Sequence, residues 1–589
     1  MPRANGQLLV LADSGRESRY ADLRRAVYSL LKHCGFPWRV CDLATGMPDP
    51  DDLKCAAAII MAQEGVAASI DPATMKSVVE AVRGGVGLVV LDPALKSLPA
   101  DMRSESGIRY PGAGKLAGPL KAAAGRHFVT HFQSGHNRAV PENIRAGYCK
   151  PSGKATVFLE DGRGRTICLG GRIGEGRLFV FSVSNEFWLP DNFGHGNGLS
   201  DVLWRGIVWA ARKPLVTLMC PPFVCARIDD AVGDTAGGIA FARPDAYPDW
   251  EGFPFFEYAA SFREYGFPAH VGLYLDHVTR SAARRAVLAA EDHEAEFSQH
   301  SFSWSRGIHF SPGKGPVHDD LAAHYMDVAD EQFRRWGISA PRVLAPHLGE
   351  CGSNAALELL RRGRPYCNGF IVPDEPLHGE HQCWSPYPFG CCGIVYDTFP
   401  QNKGLRYIYS GPVSPEVLSF KKRDGCDWFR IDLKSWASEK DFLWQRWPDR
   451  AAGRRKADVA AAAQAGTEQV LHGLSNAFFG CLATREAHLA RFSREQFRDI
   501  LERIGKQIDD CRPIPARLSD ICEYVWNWKD CNLDSVNLSS GARAEFKISG
   551  RSDVRLKLGV FIEKQGDIVL RFAELPRFDN GYQGALKTA

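Results

Sequence analysis

Phe223-Val-Cys-Ala-Arg-Ile-Asp-Asp230 is a run of apolar, strand-favouring residues that ends in two adjacent carboxylates, followed by Ala231-Val232-Gly233. A buried strand looks like this when its C-terminal end opens onto a site. Side chains alternate across a strand, so at its frayed end Asp229 and Asp230 can point two ways. One can then hold a cation while the other handles a proton. The plainer alternative is a strand followed by a turn, where Asp is common. Acidic pairs recur at catalytic sites, and the downstream sequence favours that reading.

A chain of 589 residues is too long for one core and predicts three to four domains. Its net charge of +3 offers no basic excess to neutralise phosphates, which argues against nucleic-acid or membrane-surface partners. The first apolar run, Leu8–Ala12, is too short to span a membrane. Seventeen scattered cysteines without a CxxC pair fit reduced thiols in a cytoplasm. A homo-oligomer is left open.

Residues 1–215 alternate strand-like runs (Leu8–Ala12, Ala56–Met61, Val86–Leu91) with helical patterns (Tyr20–His33, Thr74–Val82), which predicts βαβ units on a parallel sheet. Gly174-Glu-Gly-Arg-Leu-Phe-Val-Phe-Ser182 and the closing helical stretch Asp201–Arg212, with Leu203-Trp-Arg-Gly-Ile-Val-Trp-Ala-Ala211, follow. This region resembles the glutamine-amidotransferase-like domains of the trehalose-utilisation type. That resemblance implies a flavodoxin-like parallel sheet and a cysteine nucleophile at a strand-to-helix elbow. Gln63-Glu64-Gly65 stands at that place, so a non-catalytic scaffold is expected, with the loop residue His195 solvated or facing a cleft.

Residues 216–530 repeat strand-loop-helix units, which suggests a (β/α) barrel, complete or distorted. Barrel chemistry sits at the C-terminal ends of strands. Asp229-Asp230, His300 and His347 all fall at predicted strand ends. Residues 531–589 alternate apolar and polar in Ala544–Ile548, Val554–Leu558 and Ile568–Phe572, a small antiparallel β module expected beside the barrel.

The central region resembles the polysaccharide deacetylase (NodB-like) superfamily of carbohydrate esterases, whose fold is a distorted (β/α)7 barrel. By that resemblance, in Arg227-Ile-Asp-Asp230, Asp229 is the general base and Asp230 a metal ligand. The family's His-Ser/Thr-x-x-His motif reads His300-Ser301-Phe302-Ser303-Trp304, with indole in place of the second imidazole. Indole has no lone pair for a cation, so either a third ligand comes from elsewhere, with His309 or His347 the nearest options, or the metal has been lost. Ala345-Pro346-His347 takes the place of the proline motif before the substrate groove. Arg227 substitutes for the family arginine that orients the base. Arg227, Trp304 (as a stacking platform) and His347 are expected to contact substrate. His488 is the candidate for protonating the leaving group, with Glu486 next. Arg485 and His378-Gly-Glu-His381 receive no role.

The resemblance implies a divalent metal, zinc by preference, and a carbohydrate substrate deacetylated on a metal-activated water. Two rivals stand beside it. A metal-free glycoside hydrolase would use the Asp229–Asp230 region with Glu486 or Glu350 as acid and base. A non-catalytic carbohydrate-binding protein would need neither.

Overall fold

The computed structural model describes residues 4–123, 127–133, 137–138, 140–141, 143–189, 198–233, 255–303, 305–311, 315–316, 319–347, 351, 353–368, 382–386, 394–396, 405–409, 418–423, 426–432, 458–489, 492–539 and 543–588. The chain divides into two compact units: residues 1–221 with 475–477 and 527–589, and residues 222–474 with 478–526.

The first unit is built on a large mixed sheet. Five parallel strands lie in the order Trp38–Asp42, Leu8–Ala12, Ala58–Met61, Gly87–Val90, Gly176–Phe181. Numbered along the chain this is 2-1-3-4-5, an order common among doubly wound sheets. Antiparallel strands Thr166–Ile173 and Thr156–Glu160 extend it. The central strands are apolar without alternation because both faces are covered, as in Ala58–Met61. Helix Pro72–Arg83 covers one face. Asp71 caps it by accepting from the Ala73 and Thr74 amides, proline opens it, and Met75, Val78, Val79 and Val82 line its buried side.

The C-terminal strands belong to this same unit. Asn532–Ser539 pairs with Ala4–Asn5, and Lys557–Lys564 pairs with Leu215–Thr217. The expected β module is therefore present, but its ladders run to the N-terminal unit and not to the central one. Unpaired edge strands seek the nearest free edge, and Leu215–Thr217 supplies one that sequence alternation could not reveal.

Among the described residues the second unit holds eight strands with a parallel partner: β1 (Phe223–Ala231), β2 (Ala269–Tyr274), β3 (Glu296–Ser301), β4 (Val343–Leu344), β5 (Tyr366–Cys367), β6 (Arg406–Tyr409), β7 (Gly480–Arg485) and the two-residue Ile514–Pro515, which pairs with the start of β1. They form two ladders, β3-β2-β1-β7 and β4-β5-β6. No closed sheet is present among the described residues, so of the expected barrel, complete or distorted, the complete form is not seen. Just past β4 the chain has few backbone groups to offer a neighbouring strand. Pro346 has no amide to donate, and the Ala345 carbonyl is taken by the His300 side chain at 2.7 Å. Helix Arg280–His293 packs behind this sheet through Ala282, Ala283, Ala286 and Ala289, small residues at helical spacing that permit close approach. Helix Arg494–Ile508 opens with a Ser493/Gln496 capping box and buries Phe497, Ile500, Leu501, Ile504 and Ile508. No helix among the described residues is long and apolar enough to cross a membrane.

Candidate metal centre

β1 ends irregularly. Its pairing with β2 shifts between Ile228 and Ala231, and Asp230 has a left-handed backbone, φ 56°. Asp tolerates this conformation better than most side chains, but it still costs on the order of 1–2 kcal/mol. The kink breaks the strict alternation of a strand. Both carboxylates consequently act on one place: the charges of Asp229 and Asp230 are felt by the His300 imidazole and by the Tyr274 phenol.

Three donor atoms converge there. Asp230 Oδ1 lies 3.2 Å from His300 Nε2 and 3.4 Å from His347 Nδ1, and the two ring nitrogens are 3.3 Å apart. An ion bound at about 2.0–2.1 Å with tetrahedral geometry spaces its ligands about 3.3–3.4 Å apart. Octahedral binding at the same length would bring them to about 2.9 Å. The observed spacing fits the tetrahedral case, which suits the donor set of one carboxylate and two imidazoles.

The surroundings prepare each donor. A carbonyl can only accept, so His300 Nδ1 carries the hydrogen bonded to Ala345 O, and that bond orients the ring. Gly272 on β2 makes room for it, because a Cβ there would lie 2.9 Å from His300 Nδ1. Arg485, the last residue of β7, sets Nε 3.2 Å from Asp230 Oδ2. Burial alone would raise the Asp230 pKa, but Arg485, His300 and His347 outweigh it and hold the carboxyl well below its ordinary range. Burial likewise opposes charge on His300, yet the two aspartates prevail and raise its pKa above 6.5. At His347 burial wins and its pKa falls.

Beside the cluster, Arg227 Nη2 donates to Asp229 Oδ2 at 2.8 Å, and its Nη1 donates to Asn368 Oδ1 at 2.9 Å. Asp229 Oδ1 is buried and accepts no hydrogen bond. Arg227 is itself 5% exposed and held on both sides, so it can orient Asp229.

The sequence-predicted residues are thus sorted. Asp230 and His300 meet as expected. His347, expected against substrate, joins them as a third donor. His309, the other option for that ligand, is buried near Arg364 and His300 but outside the cluster; burial first, then the Arg364 charge, pushes its pKa down to about 3. Glu486, expected as the second choice of acid, follows Arg485 directly. Its carboxylate accepts from the Val232 amide at 2.7 Å, the Gly233 amide at 3.1 Å and the Tyr258 hydroxyl at 2.9 Å, so it anchors the turn that follows the aspartate pair. His488 is half-buried on the short helix Glu486–Leu489, just past Arg485. Trp304, His195, Glu350, His378 and His381 lie outside the described residues. Sequence reading missed Tyr274 and Arg485. Each ends a strand adjacent to β1, and that position was the available signal.

At the elbow of the first unit, Glu64 is buried between Arg19, at 3.2 Å, and Arg145.

No protein-family model matches the chain, and no curated protein matches it. Among solved structures, a cytoplasmic protein of Salmonella typhimurium shares 13% identity over 35% of this chain and 100% of its own, with a TM-score of 0.26. A Mycobacterium smegmatis protein assigned as a polysaccharide deacetylase shares 13% identity over 52% of this chain and 94% of its own, with a TM-score of 0.32. An exo-β-1,4-mannosidase of an Opitutaceae bacterium shares 16% identity over 35% of this chain and 36% of its own, with a TM-score of 0.23. At such scores these likenesses decide nothing, and what the site can do rests on the geometry of Asp230, His300 and His347.

Proposed function

We propose that this chain is a metal-dependent hydrolase that deacetylates an amino-sugar polysaccharide or oligosaccharide. The observation that supports the reading is the convergence of Asp230 Oδ1, His300 Nε2 and His347 Nδ1 at 3.2–3.4 Å. These three would hold a divalent ion, zinc by their spacing, which when bound polarises an acyl carbonyl and lowers the pKa of water. Asp229 serves as the base: Arg227 fixes one of its oxygens and leaves Oδ1 to take the proton. His488 returns a proton to the departing amine or hydroxyl. Trp304 contributes an aromatic face to the sugar. The metal-free glycosidase alternative is weakened because Glu486, its candidate acid, spends its carboxylate on two backbone amides and a tyrosine.

The test is elemental analysis of the purified full chain, with His300→Ala and His347→Ala alongside, followed by acetate release from acetylated chito-oligosaccharides. Wild type should carry about one equivalent of zinc or a related ion, as a single three-ligand site requires. Both variants should lose it, and Asp229→Asn should keep the ion and lose acetate release. A wild-type chain that takes up no divalent ion after supplementation would sink the reading.

A further inference from the structure

The first unit contains a cavity of about 500 Å³ at the N-terminal ends of its strands Gly87–Val90 and Gly176–Phe181, bordered by the end of helix Ser200–Ala210 and by strand Lys557–Lys564. Doubly wound sheets present their usual ligand crevice at the opposite, C-terminal ends. Four cations line the cavity, Arg172, Arg177, Arg212 and Lys213, against two carboxylates, Glu175 and Glu563, an excess of two positive charges. Arg177 Nη2 donates to Glu563 Oε1 at 2.6 Å, which pairs one of the four. Arg212 donates to the Gly84, Gly85 and Lys54 carbonyls at 3.3–3.4 Å, long for such bonds. Lys213 Nζ donates to the Val208 and Ala211 carbonyls at the end of the helix. Arg172 is exposed, and its side chain makes no hydrogen bond or ion pair among the described residues.

Neutral carbonyls satisfy N–H groups without cancelling charge, and cations withdrawn from water are ordinarily paired. Arg212 and Lys213 are half-buried and form no ion pair among the described residues. The cost shows in both groups. Burial, then the Arg177 charge, pushes the Lys213 pKa down to about 7, and burial lowers that of Arg212. An anion would relieve it. We infer that this cavity binds a small molecule bearing a phosphate group. The charge excess suits a dianion: a phosphate monoester carries about −1.5 to −2 at neutral pH, whereas a carboxylate carries a single charge. Guanidinium forks match phosphate oxygens, and Arg172 and Arg212 are the two without a carboxylate partner. The cavity is larger than a bare phosphate needs and of the size of small-molecule sites, so room remains for an attached organic part.

The experiment is calorimetric titration of the full chain with inorganic phosphate, glycerol 3-phosphate and acetate at constant ionic strength. Both phosphates should bind saturably at a single site, and acetate far more weakly. Tighter binding of glycerol 3-phosphate assigns the cavity to a phosphorylated metabolite, and tighter binding of inorganic phosphate assigns it to the free ion; either upholds the inference. Arg172→Gln and Arg212→Gln should each weaken phosphate about tenfold or more, the loss expected for a hydrogen bond to a charged group. Arg212 also braces three carbonyls, so Arg172→Gln, on the surface, separates lost binding from lost folding. Glu175→Gln tests the same charge count by a gain: removing an opposing carboxylate should tighten phosphate a few-fold. His300→Ala, which disturbs the candidate metal centre, should bind phosphate as wild type does. Absence of saturable phosphate binding would overturn the inference. So would a phosphate affinity that the Arg172, Arg212 and Glu175 variants leave unchanged, acetate bound as tightly as phosphate, or loss of phosphate in His300→Ala, which would move the anion to the metal centre.

Discussion

Arg227 and Asp229 stand two residues apart on β1, and the guanidinium holds one carboxylate oxygen at 2.8 Å while the other is buried without a hydrogen bond. Residues two apart on a strand share a face, so the strand supplies both the base and the group that aims it. Arg227→Met leaves a buried carboxylate uncompensated and should destabilise the chain by about 3–5 kcal/mol in urea unfolding. Adding Asp229→Asn should restore most of that loss without restoring activity. An additive double variant would mean that the two side chains do not form a coupled pair.

Gly272 offers a way to disturb the metal site without touching a ligand. A methyl there meets the His300 ring at 2.9–3.0 Å, a contact that forces the imidazole off the Ala345 carbonyl. Gly272→Ala should weaken zinc binding by about 10–100-fold, the usual effect of disturbing an outer-shell partner. Competition with a chromogenic chelator measures it.

Metal binding should release a proton. His300 must be neutral to ligate, and the two aspartates raise its pKa against the opposing effect of burial, so protons compete as the pH falls through that raised value. His347, whose pKa burial lowers, meets proton competition only at lower pH. Zinc affinity should therefore fall about tenfold for each unit of pH below the raised His300 value. Calorimetry in two buffers of different ionisation enthalpy should count about one proton released per ion near neutrality.

Glu486→Gln separates an anchor from an acid. The amide replaces an acceptor oxygen with a donor and so faces backbone N–H groups or the Tyr258 hydroxyl wrongly. Stability should drop by about 1–3 kcal/mol, with metal retained and turnover lowered in proportion to the disturbed turn. Unchanged stability with abolished turnover would instead make Glu486 the acid of a glycosidase.

Asp201, fully buried in the first unit, has its pKa raised to about 6 by burial, with Arg205, Arg138 and the Gln133 bond only partly offsetting it. The folded state binds this proton more tightly than the unfolded chain does. The group's contribution is thus complete below its ordinary 3.8 and disappears as pH rises through about 6, a change of about 3 kcal/mol. Asp201→Asn should flatten the corresponding part of the stability–pH curve of the full chain between pH 4 and 7.

Local patterns carried much of this structure. The strands around Asp229-Asp230, His300 and Ala345-Pro346, the N-terminal βαβ alternation and the C-terminal β pattern are all periodic runs with clear breaks. The aspartate pair and His300 were legible because each closes a strand-like run of its own. The roles of His347, Arg485, Glu486 and Tyr274 were not. Each depends on which strands become neighbours, and β1 lies between β2 and β7, whose sequences are far apart. The break between β3 and β4 was hidden for a similar reason, since it too concerns which strands become neighbours.

That break gives the candidate ion a mechanical task. Asp230 and His300 lie at the ends of strands of one ladder, while His347 follows β4 of the other, and among the described residues no strand-to-strand hydrogen bond joins the two ladders there. An ion held by all three would rivet the seam, tying together segments more than a hundred residues apart in the chain. Its binding energy would then fall on the opening of this one seam, so amide exchange beside β4 would register the ion's arrival while the central strands of either ladder exchanged as before.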